Sequence, residues 1–175
     1  MLYFDTLMQI PKEFYAFETG TPFCECMECK KPLLDATVLY SIQKCFRKYP
    51  GYDAHDVIHE VVICMDCSQQ MQEKISKESR ETIQKYLEEA ISRRFTHLDE
   101  VDTNQCGQCL VKGTSVTEAE EYVIYGTFQG DRVFEVFPMI ALSLEAMEEI
   151  NDRLSKETQD FFDEFMGKHL SLIHI

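Results

Sequence analysis

The sequence predicts an α+β protein of two tandem units, each made of a cysteine knuckle, a β-hairpin and a helical segment in that order. Three observations carry this reading. Cysteines fall in three C-x-x-C groups, strand-like runs come in pairs broken by turn signals, and each pair is followed by helical periodicity. The plan recurs after about 80 residues, which points to an internal duplication.

The chain of 175 residues is 45% hydrophobic, with 12 Phe and 8 Tyr, enough for a packed core. No stretch approaches the roughly 20 consecutive apolar residues of a membrane helix. The N-terminus, M-L-Y-F-D-T-L, has neither a basic n-region nor a small-residue cleavage site. The expected location is therefore cytoplasmic, where thiols stay reduced and clustered cysteines read as metal ligands before disulfides. A formal net charge of −14 disfavours nucleic acid as a partner, because its binders normally present a basic patch, and points to protein instead. The dense basic spots are Arg93-Arg94 and, to a lesser degree, Lys30-Lys31.

In chain order, the aromatic leader F-Y-A-F (Phe14 to Phe17) with Phe23 either packs on the first unit or forms a patch for a partner; packing is preferred, since soluble chains rarely expose large apolar patches. The stretch C-E-C-M-E-C then places Cys24, Cys26 and Cys29 in six positions. Runs A-T-V-L-Y-S-I-Q-K-C-F from Ala36 and D-V-I-H-E-V-V-I-C from Asp56 flank K-Y-P-G-Y-D, whose Pro-Gly is a turn signal, so they form a β-hairpin. Cys45, alone in the first run, reads as a small core residue. Cys64 and Cys67 follow. Met71, Ile75, Ile83, Tyr86, Leu87, Ala90 and Ile91 then recur at helical spacing, as one helix or as two joined near Ser76, where S-K-E-S can cap a second.

A polar stretch at 96–103 separates unit 1–95 from unit 104–175. The second unit opens on Cys106-Gly-Gln-Cys109. It continues with E-Y-V-I-Y-G-T-F from Glu121, a Q-G-D turn, and R-V-F-E-V-F from Arg132, predicted as a second hairpin. Leu144, Met147, Ile150 and Leu154 begin a helical pattern, and S-K-E-T at Ser155 echoes S-K-E-S at Ser76.

A knuckle C-x-x-C, a hairpin and a C-x-x-C at a helix start together resemble the treble-clef zinc finger, over Cys26 to about Ile75. Two residues between cysteines let both thiolates reach a metal at about 2.3 Å from one tight turn, and the second pair completes a tetrahedron. Cys26, Cys29, Cys64 and Cys67 are the expected zinc ligands. Four protein ligands leave no open position, so the site is structural, and chelation is expected to unfold at least the first unit. Cys24 reads as a bystander, with a ligand role through C-x-C as its alternative.

The second unit departs from the pattern. Shifting Cys64 and Cys67 forward lands on Ser143 and Ala146 or on Leu144 and Met147, none an ordinary zinc ligand. Three roles are open to Cys106 and Cys109: a relic held by packing, with Phe134, Val136, Phe137 and Pro138 as an apolar core in place of the metal; an incomplete metal site closed by His97, His169, His174 or another chain; or a thiol-redox pair, which lacks the usual βαβ context.

Treble clefs include nucleases in which a hairpin histidine activates water, and His55 and His59 lie on or beside the second strand, with His59 expected on one face with Val57, Val61 and Ile63. No matching Asn/His pair follows on the helix, and G-x-S-x-G, P-loop and H-E-x-x-H are absent. The expected function is a non-enzymatic, zinc-binding interaction or regulatory module. The alternatives are a nuclease or other nucleic-acid-binding zinc protein and a redox protein using Cys106 and Cys109.

Overall fold

The structure, a computed structural model, describes residues 8–94 and 104–170; the predicted 96–103 linker, His97 and His174 lie outside them. Mixed α and β content is observed: among the described residues there are four α-helices and one six-stranded sheet. β1 (Leu39–Lys48) and β2 (His55–Cys64) are the predicted first hairpin. They lead into α1 (Met65–Lys74) and α2 (Lys77–Arg94), so the helical stretch breaks at Ser76. After β3 (Asn104–Cys109) come β4 (Glu121–Gln129), β5 (Arg132–Val133) and β6 (Met139–Ser143), then α3 (Leu144–Asn151) and α4 (Lys156–Leu170). The strand order is β2-β1-β4-β6-β3, with β5 beside β4. One sheet thus runs through both halves, joined where β1 and β4 pair antiparallel from Leu39 opposite Gln129 to Arg47 opposite Glu121.

The second hairpin differs from expectation. R-V-F-E-V-F has strand propensity, yet only Arg132 and Val133 pair with β4. The chain then turns, with Phe137 N donating to Phe134 O at 3.3 Å, and Pro138 has no N–H for a ladder. On the edge of β4 away from β1, the longer partner is β6, from Tyr122 opposite Ser143 to Tyr125 opposite Ile140.

Alternation along β1 sends Tyr40, Ile42, Lys44 and Phe46 to one face and Gln43 and Cys45 to the other. On the first face the leader packs through Phe14, fully buried, with its ring 5.1 Å from Phe128; Phe17 stays 67% exposed. On the other face α2 and α3 bury Ala90 and Ala146 with Leu142, Tyr125 and Ile140 around them. The helices of the two halves meet at their starts. Ser76 Oγ accepts from Ser79 N and Ser155 Oγ from Thr158 N, each capping its own helix. Ser79 Oγ accepts from Ser155 N at 2.9 Å, Thr158 Oγ1 accepts from Ser76 N at 3.1 Å, and the two serine hydroxyls lie 3.0 Å apart. Each helix start is therefore capped by the other as well, and Ser79 and Thr158 are fully buried.

Candidate metal centre

A tight turn carries Cys26 and Cys29. Lys30 N donates to Cys26 O and Cys26 N to Lys31 O, both at 2.9 Å, with Lys30 in the left-handed region at φ 61°. Met27 N donates to Val62 O, which seats the turn against β2 just before Cys64. Cys64 ends β2 and is the N-cap residue of α1, and Cys67 lies in the first turn of that helix. Strand end, helix start and turn bring the four sulfurs of Cys26, Cys29, Cys64 and Cys67 within 4.8 Å of one another. Bonds of about 2.3 Å to a tetrahedral zinc place sulfurs about 3.8 Å apart. The Cys29 and Cys64 sulfurs are 3.7 Å apart, so the set fits such an ion.

Electrostatics favour a cation. Burial alone raises the Cys26 thiol, but N–H groups of Cys29, Cys64 and Glu28 outweigh it and bring the thiol down to about 7. Burial, helped by the neighbouring thiols, pushes Cys67 up, and burial pushes Cys64 up despite the N–H and thiol of Cys67. Sulfurs this close resist ionising together unless a divalent ion compensates their charge. Cys26 and Cys64 are buried and Cys29 is exposed, so access is from the Cys29 side.

Around this shell lie contacts that spacing did not announce. Glu28, between the two knuckle cysteines, accepts from His169 Nε2 at 2.5 Å and from Lys168 at 3.3 Å, both near the end of α4. The His169 ring lies tilted against Phe165, with centroids 4.5 Å apart, and is buried. His169 thus serves the first knuckle rather than Cys106 and Cys109. The outlying cysteines are not part of the cluster. Cys24 is exposed, with its sulfur 3.6 Å from Pro22 O. Burial pushes Cys45 up to about 11 and Cys106 up to about 12.

Cys106 and Cys109 lie within β3, and the turn of the second half opens on Cys109 three residues later than the sequence predicts. The Cys109 sulfur accepts from Ser143 N at 3.3 Å, Ser143 Oγ at 3.4 Å and Lys112 N at 3.4 Å. Burial alone would raise this thiol; those donors lower it. The expected apolar replacement is not what fills this region: Val136 is 70% and Phe137 54% exposed, on the turn that ended the second hairpin early. The sequence carries one faint signal of this shift, since C-L-V-K-G at Cys109 matches C-M-E-C-K at Cys26 in its first position and puts a glycine where Lys30 takes the left-handed conformation.

The hairpin histidines are apart from the four sulfurs. A bulge sets Phe46 opposite Val57 but Cys45 opposite His59, so Val57 and His59 face opposite ways, against the expected alternation. His59 bonds Gln43 at 3.3 Å, and burial pushes its imidazole down. His55 meets Phe46 edge-on at 5.4 Å and lines a groove of about 770 Å³ with Lys44, Tyr122 and Cys106. Lys44 is buried there, held by Tyr15 O at 2.6 Å and Glu60 at 3.5 Å. Among the described residues no helix is long and apolar enough to cross a membrane. The chain matches no family model, no curated protein and no solved structure.

Proposed function

We propose that the chain is a zinc protein in which Cys26, Cys29, Cys64 and Cys67 hold one structural ion, and that it acts as a non-enzymatic module docking on a basic protein surface. The observation that carries the zinc reading is the closed set of four sulfurs within 4.8 Å of one another. Thiolates select a thiophilic ion, and four of them complete a tetrahedron with no position left for water or substrate. The ion supplies a cross-link between the turn, the end of β2 and the start of α1. The fold behind it is read as two tandem treble-clef-like units, the second without a complete metal site.

The docking reading rests on charge. The net charge of −14 repels polyanions and attracts basic surfaces. Part of the basic surface that could offset it is engaged within the molecule: Lys31 pairs with Asp66, Arg93 Nε donates to Glu89 O at 3.3 Å, and Arg94 donates to Gln108, Cys109 O and Leu110 O at 3.0 to 3.3 Å.

Elemental analysis of the native chain and of Cys64→Ser and Cys24→Ser tests the metal site. One zinc per chain is expected, lost with Cys64→Ser and kept with Cys24→Ser; a metal-free native protein would sink the reading. For docking, binding to an Arg/Lys-rich peptide should fall as salt rises, and duplex DNA should not be retarded at low salt. DNA retention would favour the nucleic-acid alternative.

A further inference from the structure

We infer that Cys109, Lys112, Ser143 and Ala146 are the second half's counterpart of the four-cysteine centre, in which an ion pair from Lys112 to Glu145 and Glu149 makes the cross-link that a divalent thiophilic metal makes in the first. The inference rests on the metal reading of Cys26, Cys29, Cys64 and Cys67.

The two turns share one hydrogen-bond plan. Gly113 N donates to Cys109 O and Cys109 N to Thr114 O, both at 2.8 Å, as Lys30 and Cys26 do at 2.9 Å in the first turn. Gly113 sits at φ 73°, Lys30 at φ 61°. An isolated bridge pairs Gln108 with Ser115 where another pairs Glu25 with Pro32. Cys109 therefore stands for Cys26 and Lys112 for Cys29.

The strands give the other two positions independently. Cys64 lies opposite Tyr40 in the β1–β2 ladder, and Ser143 lies opposite Tyr122 in the β4–β6 ladder. Each ends its strand and is the N-cap residue of the next helix, with φ, ψ of −67°, 159° and −71°, 160°. Each also donates its N–H to the first sulfur of the turn, at 3.4 and 3.3 Å. Ser143 thus stands for Cys64, and Ala146, three residues on, for Cys67.

What changed is the side chains. Three of the four sulfurs are gone, and the one kept is satisfied by Ser143 and by the Lys112 N–H. One sulfur does not hold zinc in a closed site. The gap from turn to helix is spanned instead by the Lys112 ammonium, paired with Glu149 and, at 3.3 Å, with Glu145 on α3. A fixed cation takes the place of a bound one.

If the backbone is still that of a metal site, restoring the thiols should restore the metal. The full chain carrying Lys112→Cys, Ser143→Cys and Ala146→Cys is compared with the native chain by zinc analysis and by cobalt(II) absorption. The expected zinc-to-protein ratio rises from one to two, and the cobalt–thiolate bands double. A native ratio of one that stays at one in the variant overturns the inference while leaving the first site standing. A native ratio of zero instead overturns the first-site reading on which it rests. Should the variant be recovered unfolded, it is refolded with excess zinc or cobalt: recovery with two ions supports the inference, and failure to refold with either overturns it. The Ser143→Cys/Ala146→Cys variant, which keeps Lys112, should hold the second ion more weakly against a chelator than the triple variant does. Equal retention would show that Lys112 does not replace the metal.

Discussion

Lys30 and Gly113 occupy the same place in two turns, and the left-handed backbone there costs a non-glycine residue about 1–2 kcal/mol. Gly113 avoids that cost and also makes room, since a Cβ on it would lie 2.1 Å from the Arg94 guanidinium. In the first half the metal cross-link would compensate for Lys30. In the second, Glu149 is the residue to watch. Bonds from Lys112 and from the Tyr86 hydroxyl, the latter 2.9 Å away, hold its carboxyl below the usual carboxylate range. The folded state then binds this proton less readily than the unfolded one, so the contact stabilises the fold above the ordinary carboxylate range and is lost as pH falls through the lowered value. Glu149→Gln should accordingly reduce stability in urea at pH 7, with the deficit closing in acid. A pH-independent deficit would mean that charge is not its source.

The helix starts at Ser76 and Ser155 form a reciprocal cap, and this ties α2 and α4 together at their first turns. Because Ser79 and Thr158 are fully buried, removing either hydroxyl leaves a backbone N–H of the opposite helix start without its partner. Ser79→Ala and Thr158→Val should each cost roughly 1–2 kcal/mol in urea unfolding. The hydroxyls share partners, so the double variant should depart from additivity by about 0.5 kcal/mol or more. Strict additivity would show two independent caps and not one clasp.

Contacts that tie the halves include the β1–β4 ladder, the serine clasp, the Tyr86–Glu149 bond, and the contact of each long helix with the other half's turn, Arg94 at Cys109 and His169 at Glu28. The main core likewise draws Phe14, Ile42 and Cys64 together with Ile124, Phe128 and Met139. Structural zinc contributes roughly 10 kcal/mol or more of apparent binding free energy, comparable with the 5–15 kcal/mol stability of a whole domain. Chelation should therefore lower the midpoint of one shared thermal transition, and hydrogen exchange should quicken in β4 as well as in β1 and β2. A second half that keeps its own transition after chelation would show that the halves fold separately.

Spacing alone named Cys26, Cys29, Cys64 and Cys67, the four whose sulfurs meet, because two residues between cysteines and a helix start are local geometry. Periodicity and turn chemistry likewise placed the first hairpin and offered a helix break near Ser76 as one of two readings, since both depend on neighbours within a few residues. Strand propensity failed at R-V-F-E-V-F, where β4 pairs over more residues with β6 than with β5, and alternation failed at His59, where a bulge shifted the register. Neither pairing is visible from one segment. The repeated S-K-E-S and S-K-E-T were legible as caps, but that each caps the other's helix follows only once both lie at one point in space. The place of Lys112 was hidden for the same reason. Its role is set by a turn, a strand end and a helix that are distant in the chain, and long-range contacts of that kind are what the tertiary structure decides.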